Sequence, residues 1–146
     1  MKNYVLSLFA YLILVFVIAV TWHVVLFNQQ YLSFGMRKEP IFQLGILSMI
    51  IQGLISAYLF PKVAKEHSPI YEGLKFGLII AFFMGSYGVL AEAGKYDVGS
   101  VSSYIRYEGA FFIIQYAIVG IVIGLIHGKK FKNNWAFVLT MTAHKK

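Results

Sequence analysis

Four stretches of this chain, residues 3–36, 40–61, 76–91 and 109–128, contain no Asp, Glu, Lys or Arg. About 20 apolar residues carry an α-helix across the hydrocarbon of a bilayer, and inside lipid a helix satisfies its own backbone. The chain therefore reads as an all-α integral membrane four-helix bundle. With 59% hydrophobic and 13% charged residues in 146, it is too apolar for a soluble domain wrapped around a hidden core.

The predicted spans are 4–27, 41–60, 71–91 and 107–127. Pro40 opens the second helix, where a missing amide proton costs nothing, Pro61 closes it, and Pro69 precedes the third. The first span is longer than a signal-peptide core and ends without a small-x-small cleavage site, so it is read as retained. Tyr4, Tyr58, Phe60 and Tyr71 are expected at one interface, and Trp22, Tyr31, Tyr96, Tyr104 and Tyr107 at the other, as anchoring belts.

The formal net charge of +7 is explained by orientation rather than by a nucleic-acid partner. Lys2, Lys62, Lys65, Lys75, Lys129, Lys130, Lys132, Lys145 and Lys146 fall on one side of four spans, against Arg37, Lys38, Lys95 and Arg106 on the other. The positive-inside rule then puts both termini in the cytoplasm of a multi-pass protein of the bacterial inner membrane. Residues 1–128 form the bundle, and 129–146 a basic tail. There Phe131, Trp135, Val138, Leu139 and Thr142 recur at helical spacing, which suits an amphipathic helix on anionic lipid, with a disordered tail as the alternative.

The third span carries Gly73, Gly77, Ala81, Gly85 and Gly88 on one face, and the fourth carries Ala117, Gly120, Gly124 and Gly128. Small residues let helices approach closely where lipid gives no apolar driving force. The two spans are expected to pair tightly, within one chain or across a homo-oligomer. The second span has a stripe of Gly45, Ser48, Gln52 and Ser56 expected to face the interior, where Gln52 acts as packing glue or contacts a solute.

Polar residues crowd the outer half: His23, Gln43, Glu92, Glu108 and Gln115. They outline a shallow outward-facing pocket, with His23, Gln52, Glu92, Glu108 and Gln115 as candidate ligand-binding residues. Histidine titrates near neutrality, so His23 beside Glu92 or Glu108 suits proton transfer or sensing. The competing reading has both glutamates solvated and His23 bonded to the helix backbone. The inner half offers Ser56, Tyr58, Lys75 and His127, sparse for a conducting path.

No catalytic residue, cofactor or metal site is assigned. The absence of cysteine removes thiol catalysis and thiolate metal sites. His23 and His127 lie at opposite ends of the membrane and cannot share a haem, and nothing in the spacing of His67, His127 and His144 demands a metal.

Thr21-Trp22-His23 followed by Tyr31, Gly73-Leu74-Lys75-Phe76-Gly77, and Gly120 with Gly124 resemble small families of four-span bacterial inner-membrane proteins that carry no settled activity. The resemblance implies fold and location only. The residues themselves leave three function classes: a binding, accessory or assembly component, an oligomeric transporter or channel, and, least supported, a membrane enzyme using His23 as acid or base.

Overall fold

A computed structural model describes residues 1–65 and 68–143, with side chains described through Gly128. The described chain is helical. The elements are α1 (Lys2–Val20), continued by a π-helical turn (Thr21–Leu26), a short α2 (Asn28–Ser33), α3 (Phe42–Val63), α4 (Pro69–Gly85), continued by a second π-helical turn (Ser86–Ala91), a single-turn α5 (Glu92–Lys95) and α6 (Val101–Ala143). Four segments are long and apolar enough to cross a membrane: Lys2–Leu26, Phe42–Val63, Pro69–Lys95 and Val101–Gly128. The end carrying Met1 is called proximal below, and the end where α1 finishes is called distal.

α6 is the central strut. α4 packs along one side of it and α1 along another, and α3 packs against α1. α1 is apolar all round, so its packing face is set by a stripe of Ser7, Tyr11 and Val15, all buried, at successive spacings of four. Tyr11, Phe60, Phe76, Tyr116, Val119 and Ile123 fill the core where the helices meet.

Backbone contact joins α4 to α6. A Cβ added to Gly77 would fall on the carbonyl oxygen of Tyr116, one on Gly120 would fall on that of Gly73, and one on Gly124 would fall on that of Pro69. The two glycine faces thus occupy each other within one chain. Gly88 faces a side chain instead, the Phe112 ring, which an added Cβ would meet at 2.8 Å.

Helix ends differ from the sequence reading in two places. Pro69 opens α4 as expected, but Pro61 lies inside the last turn of α3, which runs on to Val63, and α3 starts at Phe42, two residues after Pro40. A proline near a helix end forfeits one hydrogen bond, which the final turn tolerates better than the middle.

The Gly45, Ser48, Gln52 and Ser56 stripe turns inward only in its proximal half. Gly53, Ser56, Ala57 and Phe60 are buried, whereas residues 41–51 are exposed apart from half-buried Met49. α6 continues as unbroken helix through Gly128 to Ala143. The side chains of Phe131, Trp135, Val138, Leu139 and Thr142 lie outside the described residues, as do His67 and His144.

Candidate functional site

Both π-helical turns fall at the distal end, and both lead into the same cavity. A π turn shifts the hydrogen-bond ladder from i+4 to i+5 and re-aims the side chains that follow it. In the first span the shifted bond runs from Phe27 N to Trp22 O at 3.0 Å. The helix then breaks at Phe27 and restarts as α2, which brings Tyr31 back against His23. In the third span the π turn immediately precedes Glu92.

The cavity these elements enclose measures about 450 Å³, within the usual range for a small-molecule site. His23, Tyr31, Glu92, Asp97, Tyr104 and Glu108 supply its polar wall, and Phe34, Met36 and Tyr96 add to the rest. The chain contains six acidic residues and thirteen Lys and Arg, yet three of those acids and no Lys or Arg line this one cavity.

Its polar groups are held in fixed roles. Tyr31, only 3% exposed, accepts a hydrogen bond from the Trp22 indole N–H at 2.9 Å and donates its own proton to Glu108 Oε2 at 3.2 Å. Burial, and then the neighbouring Glu108 charge, push the Tyr31 phenol above its ordinary range, so it stays a donor. His23 Nδ1 donates to Ala19 O at 3.0 Å, which turns Nε2 toward Glu108 Oε2 at 3.6 Å. A backbone carbonyl can only accept, so the proton on Nδ1 is fixed and Nε2 is the ring atom presented to the cavity.

Across the cavity, Tyr104 Oη lies 3.0 Å from Gly88 O, in the second π turn, and 3.2 Å from Glu92 Oε2. His23 stands edge-on to Tyr31 and to Phe111, each with ring centroids 4.3 Å apart. Phe34 packs edge-on against both Tyr31 and Tyr104. The carboxylates are therefore set among aromatic rings.

Of the five candidate residues, the structure brings together His23, Glu92 and Glu108. Gln52 and Gln115 do not line the cavity. Gln52 Oε1 accepts from Tyr11 Oη at 2.8 Å and Tyr116 Oη at 2.9 Å, while its Nε2 donates to Ser48 Oγ at 2.9 Å. That knot ties α1, α3 and α6 together in mid-bundle, the packing role. Gln115 is 4% exposed, and its Oε1 is buried without a hydrogen-bond partner. Gln43 is exposed.

Sequence reasoning missed Tyr31, Tyr104 and Asp97. The two tyrosines are buried parts of the site, not belt anchors. One signal was available, since Tyr104 and Glu108 are four residues apart and share a helix face.

Reasoning from sequence also understated the proximal half. Buried Ser7 meets His127 Nε2 at 3.2 Å, and Glu72, 3% exposed, accepts the Lys65 backbone N–H at 3.1 Å. Among the described residues no three His, Cys, Asp or Glu side chains converge as metal ligands. Compared with protein-family models, curated proteins and solved structures, the chain has no significant match.

Proposed function

We propose that this protein is a small-ligand binding component of the bacterial inner membrane whose distal cavity takes an organic cation, such as a protonated amine. The observation that carries the reading is the charge of the cavity: three carboxylates and no Lys or Arg, in a chain that is otherwise strongly basic. Aromatic faces beside the carboxylates add attraction for a cation. Three metal ligands do not converge among the described residues, so a bare metal ion has no ready donor set.

With both termini cytoplasmic, as the lysine distribution favours, the cavity opens outward and receives its ligand from that side. Tyr31 holds Glu108 in place by donating to it, and Tyr104 holds Glu92.

Transport is the second reading, supported by the mid-bundle Gln52 knot and the proximal Ser7–His127 contact. Against it, Val119 and Ile123, at 2% and 0% exposure, occupy α6 between Tyr116 and His127. A membrane enzyme has less support still, because no Ser, Thr, Cys or Lys lines the cavity.

The test uses Trp22 as reporter. Replacing Trp135 by Phe leaves Trp22 as the single tryptophan, hydrogen-bonded to a cavity residue. Titration of the detergent-solubilised protein with ethylammonium and tetramethylammonium should change its emission saturably. Glu108→Gln should weaken binding by roughly tenfold to a hundredfold, the worth of one charge-assisted contact. No saturable response to any cation, or wild-type affinity in both Glu108→Gln and Glu92→Gln, overturns the proposal.

A further inference from the structure

On the other side of the α1–α6 contact lies a second distal cleft, of about 420 Å³, with the opposite electrostatic character. Trp22, Phe27, Gln30, Ser103, Arg106 and Tyr107 line it, and no carboxylate does. Helical geometry separates the two sites: Arg106 and Glu108 are two residues apart, about 200° around α6, so base and acid project to opposite sides.

Arg106 is incompletely used. Its Nε donates to Ser102 O and its Nη2 to Ser103 Oγ, each at 3.3 Å. A guanidinium has five N–H donors, so three are left without an acceptor among the described residues. Among the described residues no carboxylate lies within ion-pair distance of Arg106, whereas Glu108 Oε2 lies 3.6 Å from His23 Nε2. Arg106 is exposed, so these two bonds orient the guanidinium at the cleft while its remaining N–H groups face water, which an anion can replace.

The cleft is also graded in polarity. Arg106, Ser103 and Gln30 lie at its mouth, whereas Ala110, one turn deeper along α6, and Phe27 are apolar. The span that carries Arg106 begins at Val101, so its guanidinium sits close to the membrane boundary. A ligand matching this gradient has a compact anion joined to a hydrocarbon body.

We infer that the Arg106 cleft binds the phosphodiester group of a membrane lipid, with the lipid's glycerol and upper acyl chain against Phe27 and Ala110. Planar guanidinium is suited to two phosphate oxygens at once, which an ammonium is not. This inference is independent of the cation site and can fail without it.

Native mass spectrometry of the full chain released from micelles containing dioleoylphosphatidylglycerol measures it directly. The wild-type protein should retain one lipid, Arg106→Gln should retain it about tenfold less, and Arg106→Lys, which keeps the charge, should fall between. Lys38→Gln, at the same end but outside the cleft, should behave as wild type. Inorganic phosphate at millimolar concentration should not displace the lipid; if it does, the site reads free phosphate and the lipid assignment is overturned. Equal lipid retention by wild type, Arg106→Gln and Arg106→Lys also overturns it. Far-ultraviolet circular dichroism of each variant checks that the fold survives.

Discussion

Replacing Gly77 by Ala adds one methyl group at a point where α4 and α6 meet backbone to backbone. The new Cβ would fall on the Tyr116 carbonyl oxygen, and a main-chain atom cannot rotate away as a side chain would. The helices must separate by about an ångström to restore ordinary contact, and the same movement loosens the Gly73–Gly120 and Pro69–Gly124 contacts on that seam. Overpacking of this kind costs about 1–3 kcal/mol, and the better helix propensity of Ala returns about 0.5–1 kcal/mol. The expected net loss is about 1–2 kcal/mol.

Gly109→Ala is the matched control, because a Cβ there meets nothing within 4 Å and only the propensity gain remains. Gly85→Ala, with its nearest contact at 3.7 Å, should be close to neutral. Unfolding in micelles with increasing dodecyl sulfate, followed by far-ultraviolet circular dichroism, should rank the variants Gly109→Ala, Gly85→Ala, Gly77→Ala from most to least stable. The double variant Gly77→Ala with Gly120→Ala should lose less than the sum of its parts, since the first substitution already opens the seam. If Gly77→Ala is as stable as Gly109→Ala, the backbone-contact argument is wrong.

Gln52→Leu removes the acceptor shared by Tyr11 and Tyr116, and at about 0.6 kcal/mol per interhelical bond it should destabilise the bundle by about 1 kcal/mol in the same assay, leaving cation affinity unchanged. Burial and Glu108 raise the Tyr31 pKa, so folded Tyr31 keeps a proton that the unfolded chain releases near pH 10. Stability contributed by that proton is complete below pH 10 and is lost above it, so Tyr31→Phe should flatten the alkaline fall in unfolding midpoint relative to wild type. Deleting Leu90, an exposed residue of the second π turn, should return that turn to α geometry and rotate Glu92 by about 100° away from Tyr104. Cation binding should then be lost while the glycine seam, whose α4 residues precede the deletion and whose α6 residues lie in another helix, keeps the dodecyl sulfate midpoint near wild type.

The spans were legible because each is built around a run without charge, and the α4–α6 seam because Gly73, Gly77, Gly120 and Gly124 repeat at spacings that share a helix face. His23, Glu92 and Glu108 could be placed at one end from depth alone. Gln115 could not be excluded from that group by the same reasoning, since it lies on the Glu108 side of α6 but about 10 Å deeper, two turns on. Phe111, which packs on His23, comes between Glu108 and Gln115 along that helix. The Ser7, Tyr11 and Val15 stripe was invisible for a different reason. α1 is apolar all round, so hydrophobic periodicity carries no direction, and the polar contacts Ser7–His127 and Tyr11–Gln52 depend on partners more than 40 residues away.

The two π turns are where sequence pattern and site part company. Counting from Gly85 at 100° per residue places Glu92 seven residues on, almost in line with the glycine stripe and aimed at the α4–α6 seam. A wider turn between Ser86 and Ala91 breaks that count, and Glu92 meets Tyr104 at the cavity wall instead. In α1 the turn at Thr21–Leu26 ends the helix at Phe27, so Trp22 and Tyr31, nine residues apart, hydrogen-bond to each other. Neither distortion follows from a proline, since all three prolines lie elsewhere. Both occur at the distal end in helices that flank α6, and each contributes to the cavity: His23 and, beyond the turn, Tyr31 from the first, Glu92 from the second. With an undistorted count Glu92 would point at the α4–α6 seam, and Glu108 would lack the opposing wall that Glu92 supplies, so the turn shapes the cavity.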